Sequence, residues 1–97
     1  MQVSVRFFTT LREIVDKKEE TLEFPKGEKV TVNRVLKRLS EEHGKSFDEY
    51  VYDHRTGEAK GFLQFLVNGR TISSPEGMEA KLTDGDVLAI VPPIGGG

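Results

Sequence analysis

Residues 82–97 read LTDGDVLAIVPPIGGG, and this closing stretch decides the fold. Leu82-Thr83-Asp84-Gly85-Asp86 is a turn signal leading into a strand-like apolar run, Val87-Leu88-Ala89-Ile90-Val91. The run stops at Pro92-Pro93, which supply no backbone N–H and so end a sheet ladder and stiffen the exit. Ile94 then gives way to Gly95, Gly96 and Gly97, which have no Cβ and fit a slot too narrow for a side chain. A stiff stem with a bare carboxylate on Gly97 suits a chain whose end is itself the reactive group.

The rest of the chain supplies a sheet for that strand to join. Residues 2–8, QVSVRFF, alternate, with Val3, Val5 and Phe7 on one face and Gln2, Ser4 and Arg6 on the other. Phe8 is apolar on the polar face. Residues 9–15, TTLREIV, suit a short helical turn that buries Leu11 with Ile14 or Val15. Residues 19–24, EETLEF, alternate again up to Pro25-Lys26-Gly27 and are expected to pair with the first strand. Residues 62–67, FLQFLV, read as a strand. Asn68-Gly69 signals a tight turn, Arg70-Thr71-Ile72 returns as a short strand, and Ser74-Pro75-Glu76-Gly77 reads as a loop.

The clearest helix spans 31–43. Thr31 is a good N-cap, Val32, Val35, Leu36 and Leu39 form one apolar face, and Gly44 is a stop signal. Residues 45–61 read as polar and irregular, anchored by Phe47, Tyr50, Val51 and Tyr52, with an exposed turn at His54-Arg55-Thr56-Gly57-Glu58. One helix among several strands implies an α+β domain, a mixed sheet with one main helix packed on one face. Its expected bounds are residues 1–94, with 95–97 a flexible glycine tail.

The chain has 97 residues, enough for one domain, and a formal net charge of −2. That balance argues against a phosphate-binding surface, so nucleic acid is not an expected partner. The chain has no cysteine, which excludes disulfides, thiolate metal sites, iron–sulfur clusters and a thiol nucleophile. No signal peptide or membrane span is read, so the expected compartment is the cytoplasm. His43 and His54 stand in polar context and read as solvated surface residues, so no metal site is expected. Lys17, Lys18, Lys26, Lys29, Lys37, Lys45, Lys60 and Lys81 are mostly solvated charges that the sequence does not rank as acceptors.

Four pieces in order carry a family resemblance. They are Phe7-Phe8-Thr9-Thr10-Leu11-Arg12-Glu13-Ile14, Val67-Asn68-Gly69, Leu82-Thr83-Asp84-Gly85-Asp86 and Pro92-Pro93-Ile94-Gly95-Gly96. Together with the element order and the glycine end, they make the chain similar to the ubiquitin-like β-grasp proteins. Within these it resembles the MoaD and ThiS sulfur carriers across essentially its whole length. The 45–61 segment is longer than in bacterial MoaD and is more like that of the small archaeal ubiquitin-like modifiers. Gly95 stands where the family varies.

The resemblance implies a carrier rather than an enzyme. A partner E1-like enzyme uses ATP to adenylate the Gly97 carboxylate, and no cofactor stays bound to the carrier. A sulfur donor then displaces AMP and leaves a thiocarboxylate for a molybdopterin precursor or for tRNA thiolation. Alternatively, a target-protein lysine attacks and forms an isopeptide bond. Residues 94–97 extended span about 13 Å, enough to reach into a partner's active site. The chain is also expected to serve as the small subunit of a molybdopterin-synthase-like complex, with that synthase's large subunit as a partner.

In MoaD the positions matching Phe8 and Val91 are aromatic and lie at the synthase interface. Phe8, Leu66, Val91, Pro92, Pro93 and Ile94 are therefore the candidate partner surface. The competing class is a plain β-grasp interaction module with an inert tail. A β-grasp ferredoxin-like redox protein is ruled out by the missing cysteines.

Overall fold

The alternation at the start of the chain forms strand β1, Gln2–Phe7, in the computed structural model, which describes residues 1–72 and 76–92. The other strands are β2 (Glu19–Glu23), β3 (Gln64–Val67), β4 (Arg70–Ile72) and β5 (Val87–Val91). They make one sheet of five strands in the order β2-β1-β5-β3-β4. β1 and β5 run parallel, and the other pairs are antiparallel. The sheet is therefore mixed, and the final strand lies at its centre.

Three helices connect the strands: α1 (Thr9–Val15), α2 (Val32–His43) and α3 (Lys45–Val51). α2 is the main one, and its ends are set as the residues dictate. The Thr31 hydroxyl accepts from the Arg34 N–H at 3.1 Å, and Gly44 closes the helix with φ +75°. Val32, Val35, Leu36 and Leu39 are fully buried against one face of the sheet. They share a core with Val3, Val5, Phe7, Leu88, Ile90 and Phe65. In α1, Leu11 and Val15 are buried and Ile14 is half-buried.

Two of the quoted motifs form a single clasp across the sheet. Asn68 and Gly69 turn β3 into β4 with φ +51° and +83°, the left-handed pair a tight hairpin requires. The Asn68 amide then reaches β5. Its Nδ2 donates to Asp86 Oδ1 at 2.9 Å, and its Oδ1 accepts from the Val87 N–H at 2.9 Å. Asp86 also accepts from the Thr83 N–H at 2.8 Å and the Thr83 hydroxyl at 3.1 Å. The same turn is tied to β1, because Gly85 N donates to Gln2 O at 2.8 Å and Gln2 N donates to Asp84 Oδ1 at 2.7 Å.

The elements differ from the sequence reading in three places. Residues 45–61 are not irregular throughout: α3 occupies Lys45–Val51, and Phe47 and Val51 are fully buried. Two apolar residues four apart bury one side of a short helix whose remaining positions are polar. The strand expected at 62–67 begins only at Gln64, because Gly61 and Phe62 lie in a turn. Part of the segment expected as a loop at 74–77 is ordered as well. Glu76–Glu79 forms a 3-10 turn that buries Met78, while Ser74 and Pro75 lie outside the described residues.

Two predictions follow from this packing. Leu39→Ala should cost about 2–5 kcal/mol, as buried large-to-small changes do. Denaturant unfolding checks it, and a change under about 0.5 kcal/mol would mark the site as surface-like. The second concerns Asp86. Burial raises its carboxyl pKa, but the Thr83 amide, the Asn68 amide and the Thr83 hydroxyl outweigh that and hold it below the ordinary value. A depressed folded pKa gives stability that is present above the unfolded carboxylate range and lost as pH falls through the folded value. Asp86→Asn should therefore lower the melting temperature by several degrees at pH 7 and by less at pH 3. An equal drop at both pH values would show that the charge contributes nothing.

Candidate functional site

The chain leaves the body from the middle of the sheet. β5 carries Leu88 and Ile90 into the core, with Val87, Ala89 and Val91 on the outer face, away from α2. Pro92 follows, half-buried and outside any strand. Pro93, Ile94, Gly95, Gly96 and Gly97 lie outside the described residues.

The described candidates for a partner surface come together. The parallel register sets Phe7 opposite Ile90, so one further step places Phe8 beside Val91. Phe8 keeps an extended backbone, φ −129° and ψ 148°, which continues the alternation of β1 onto the outer face. On the other side of β5, Val91 pairs with Gln64 and Ala89 pairs with Leu66. Phe8, Val91, Ala89 and Leu66 are all half-buried and lie on adjacent strands of one face. Thr9 then takes φ +46°, a left-handed conformation that is uncommon for a β-branched residue, and turns the chain off the sheet into α1.

Two residues were not singled out from the sequence, Arg6 beside this patch and Phe62 before β3. The Arg6 guanidinium stands 6.0 Å from the Phe8 ring centre and gives the patch a cationic border. Phe62 is 47% exposed and lies two residues before Gln64, which pairs with Val91. It meets Tyr50 edge-on at 6.3 Å and lies 5.8 Å from the Lys60 ammonium. Read as a strand residue, Phe62 shares the parity of Leu66, and that was the available signal.

Polar clusters elsewhere are tied up within the fold. His43 is not the solvated residue expected. It is half-buried, and its Nε2 lies 2.9 Å from Glu20 Oε1, joining the end of α2 to β2. Glu42 completes a group whose possible ligand atoms lie within 4.8 Å of one another. Each member has a protein partner, since Lys17 lies 3.6 Å from Glu20 and Arg38 Nε lies 3.1 Å from Glu42. Contact with the Glu20 carboxylate holds Glu42 above its ordinary pKa. Glu20 is raised by burial but lowered overall by hydrogen bonds from Glu42 and His43 and by the charges of Lys17 and His43. The group works as a staple between β2 and α2.

The lysines now differ from one another. The Lys60 ammonium donates to the Glu49 carbonyl at 2.6 Å, whereas the Lys45 side chain is 88% exposed with Glu49 at 3.7 Å. His54, Arg55, Thr56, Gly57 and Glu58 form the exposed turn expected of them. Among the described residues no helix is long and apolar enough to cross a membrane.

This architecture recurs in known proteins. The model of the ThiS family matches residues 5–97. Small archaeal modifier protein 3 of Haloferax volcanii is 34% identical over 97 residues, all of both chains. A putative sulfur carrier protein of Archaeoglobus fulgidus is 39% identical over 71 residues, covering 73% of this chain and 78% of the relative. The solution structure of the Haloferax volcanii HVO 2177 protein superposes with a TM-score of 0.80 at 33% identity, covering 100% of this chain and 87% of that one. With its central final strand, its clasp of Asn68 and Asp86 and its glycine end, the chain belongs to the ThiS family, among the ubiquitin-like β-grasp sulfur carriers and small archaeal modifiers.

Proposed function

We propose that the chain is a carrier whose working group is the carboxylate of Gly97. The observation that carries this reading is the exit from β5. The sheet's central strand delivers the chain at Pro92, beside an apolar outer-face patch, and the sequence beyond is Pro93-Ile94-Gly95-Gly96-Gly97. Membership of the ThiS family and the full-length match to a small archaeal modifier support it.

A carboxylate is a poor electrophile until its oxygen can leave. In the proposed first step an E1-like enzyme presents ATP, a Gly97 carboxylate oxygen attacks the α-phosphorus, and pyrophosphate departs. A sulfide-level donor then attacks the carbonyl carbon, and AMP leaves to give a thiocarboxylate. Alternatively, a lysine amine of a target protein attacks, loses a proton and forms an isopeptide bond. After that first step the attacking nucleophiles belong to the partners, since the chain has no thiol of its own. Gly95, Gly96 and Gly97 form the part that enters the partner's channel, where the tail is held at near-attack distance. The thiocarboxylate would serve molybdopterin synthesis, with the chain as the synthase's small subunit, or tRNA thiolation.

Phe8, Leu66 and Val91, with Pro92, Pro93 and Ile94, form the proposed docking surface for the E1-like enzyme or the synthase large subunit. Binding energy concentrates in a few central apolar anchors, and these sit at the root of the tail.

Two experiments test the proposal. Deleting Gly96 and Gly97 should abolish ATP–pyrophosphate exchange with the cognate adenylating enzyme and leave the melting curve unchanged. Gly97→Ala should be slow, and Gly95→Ala nearly neutral. Full exchange by the truncated chain would leave an inert tail on an interaction module. Val91→Asp should weaken partner binding about tenfold, or 1.4 kcal/mol, while the melting temperature falls by only a few degrees. Calorimetric titration paired with thermal unfolding decides it, and unchanged affinity would remove the patch from the interface.

A further inference from the structure

The sheet carries an open edge that the tail chemistry does not use. β4 is an outermost strand and pairs with β3 alone. Its register sets Arg70 opposite Val67 and Ile72 opposite Phe65, with a two-residue turn between Val67 and Arg70. Such a turn makes Val67 and Arg70 a hydrogen-bonded pair, so the next residue, Thr71, turns its N–H and C=O away from β3. Asn68 N donates in the opposite direction, to Val87 O on β5 at 2.8 Å, as that alternation requires. Thr71 is exposed, and among the described residues nothing bonds its outward backbone groups.

Beside this edge, on the helical side of the sheet, lies a groove of about 540 Å3. Ile72 shares a face with the core residue Phe65, and Val67 and Arg70 lie on that same face. Val67 and Ile72 stay half-buried, and the buried Leu82 completes an apolar floor. Gly77 backs Ile72 so closely that a Cβ on it would lie 2.9 Å from the Ile72 Cβ. The facing wall is fixed in place, because Lys81 bridges to Thr31 and Leu82 N donates to Val30 O at 2.8 Å. The charged groups of the lining are Arg70 and Lys81, both basic and both exposed. Arg34, Arg38 and Arg55 each meet a carboxylate of the fold, but among the described residues Arg70 and Lys81 meet none.

We propose that β4 and this groove dock an extended segment of a partner protein in which an apolar side chain and a carboxylate stand two residues apart. The segment adds a strand to the sheet, and its backbone bonds the outward N–H and C=O of Thr71. Side chains on one face of a strand recur every second residue, as Arg70 and Ile72 do on β4. The docked residue opposite Ile72 is therefore apolar and covers Val67, Ile72 and Leu82. The docked residue opposite Arg70 is Asp or Glu, and its carboxylate lies between Arg70 and Lys81. Charge complementarity sets the acidic character, and the open backbone edge selects a peptide over a free anion. Val67 pairs with Leu88 near the start of β5, whereas the tail leaves beyond Val91, and the patch around Val91 lies on the opposite face. Both surfaces can be occupied together. The inference does not depend on the chemistry at Gly97.

The test is a two-dimensional NMR titration of the uniformly labelled full chain with acetyl-Thr-Ile-Thr-Glu-Thr-amide and with the reversed order, acetyl-Thr-Glu-Thr-Ile-Thr-amide. One of the two should shift the amides of Arg70, Thr71, Ile72 and Lys81 and saturate with a Kd on the order of 1 mM or tighter. The Thr71 amide proton should then exchange more slowly with solvent, which a contact through side chains alone would not produce. Moving the glutamate next to the isoleucine puts the two on opposite faces and should abolish binding, as should lysine in place of glutamate. The double variant Arg70→Gln with Lys81→Gln, both exposed positions, should weaken binding about tenfold without moving the melting temperature. Thr71→Pro removes only an outward N–H, a substitution that an edge strand tolerates, and should abolish binding. The proposal falls if no shift saturates, if the adjacent-residue peptide or the charge-neutralised variant binds equally well, or if inorganic phosphate alone reproduces the shifts. It also falls if acetyl-Pro-Pro-Ile-Gly-Gly-Gly with a free carboxylate binds more tightly than either peptide, since the groove would then receive the tail of a second copy.

Discussion

Two strands are joined at one carboxylate, and the turn that carries it holds a third. Asp86 sits where β5 begins, bonded to Asn68 at the end of β3 and to Thr83 in its own turn, while the neighbouring Asp84 and Gly85 hold the first residues of β1. In a pleated sheet a slip of one residue would move Leu88 and Ile90 from the core to the outer face and bring Val87, Ala89 and Val91 inward. Val87, Ala89 and Val91 cannot fill the space under α2 as leucine and isoleucine do. The clasp fixes which side chains α2 meets, and thereby which ones remain outside for a partner.

This recasts the motifs that carried the family resemblance. Val67-Asn68-Gly69 and Leu82-Thr83-Asp84-Gly85-Asp86 supply a positive-φ hairpin and a ring of side-chain hydrogen bonds. Both serve register. The Phe7–Ile14 motif divides between the two tasks. Phe7 and Leu11 anchor the first crossover in the core, while Phe8 stays on the outer face and Thr9 makes the sharp departure between them.

Much of this was legible because burial has a period. The alternation of β1 and β2 and the four-residue stripe of α2 name their own faces, and the Pro92-Pro93 stop marks the end of β5. The elements that escaped are those without a full period. α3 has only Phe47 and Val51 to bury, too few to distinguish a helix from an anchored loop, and Met78 is a single apolar residue in a 3-10 turn. Phe62 matched its strand's parity, but the turn at Gly61 set it outside the ladder. His43 looked solvated because its partner, Glu20, is distant in sequence and reaches it only after β2 is placed. Phe8 and Val91 were legible from strand parity together with the family resemblance, but Arg6 beside them needed a distance.

The central position of β5 also governs how the molecule bears force. A pull on the C-terminal end acts along a strand flanked on both sides, by β1 in parallel and by β3 antiparallel. Such a strand cannot peel away one hydrogen bond at a time, as an edge strand does; its ladders must slide together, with Leu88 and Ile90 dragged from under α2. A load applied beyond Pro92 thus enters at the middle of the sheet and not at its edge. A tug there loads the whole domain before a single strand comes free.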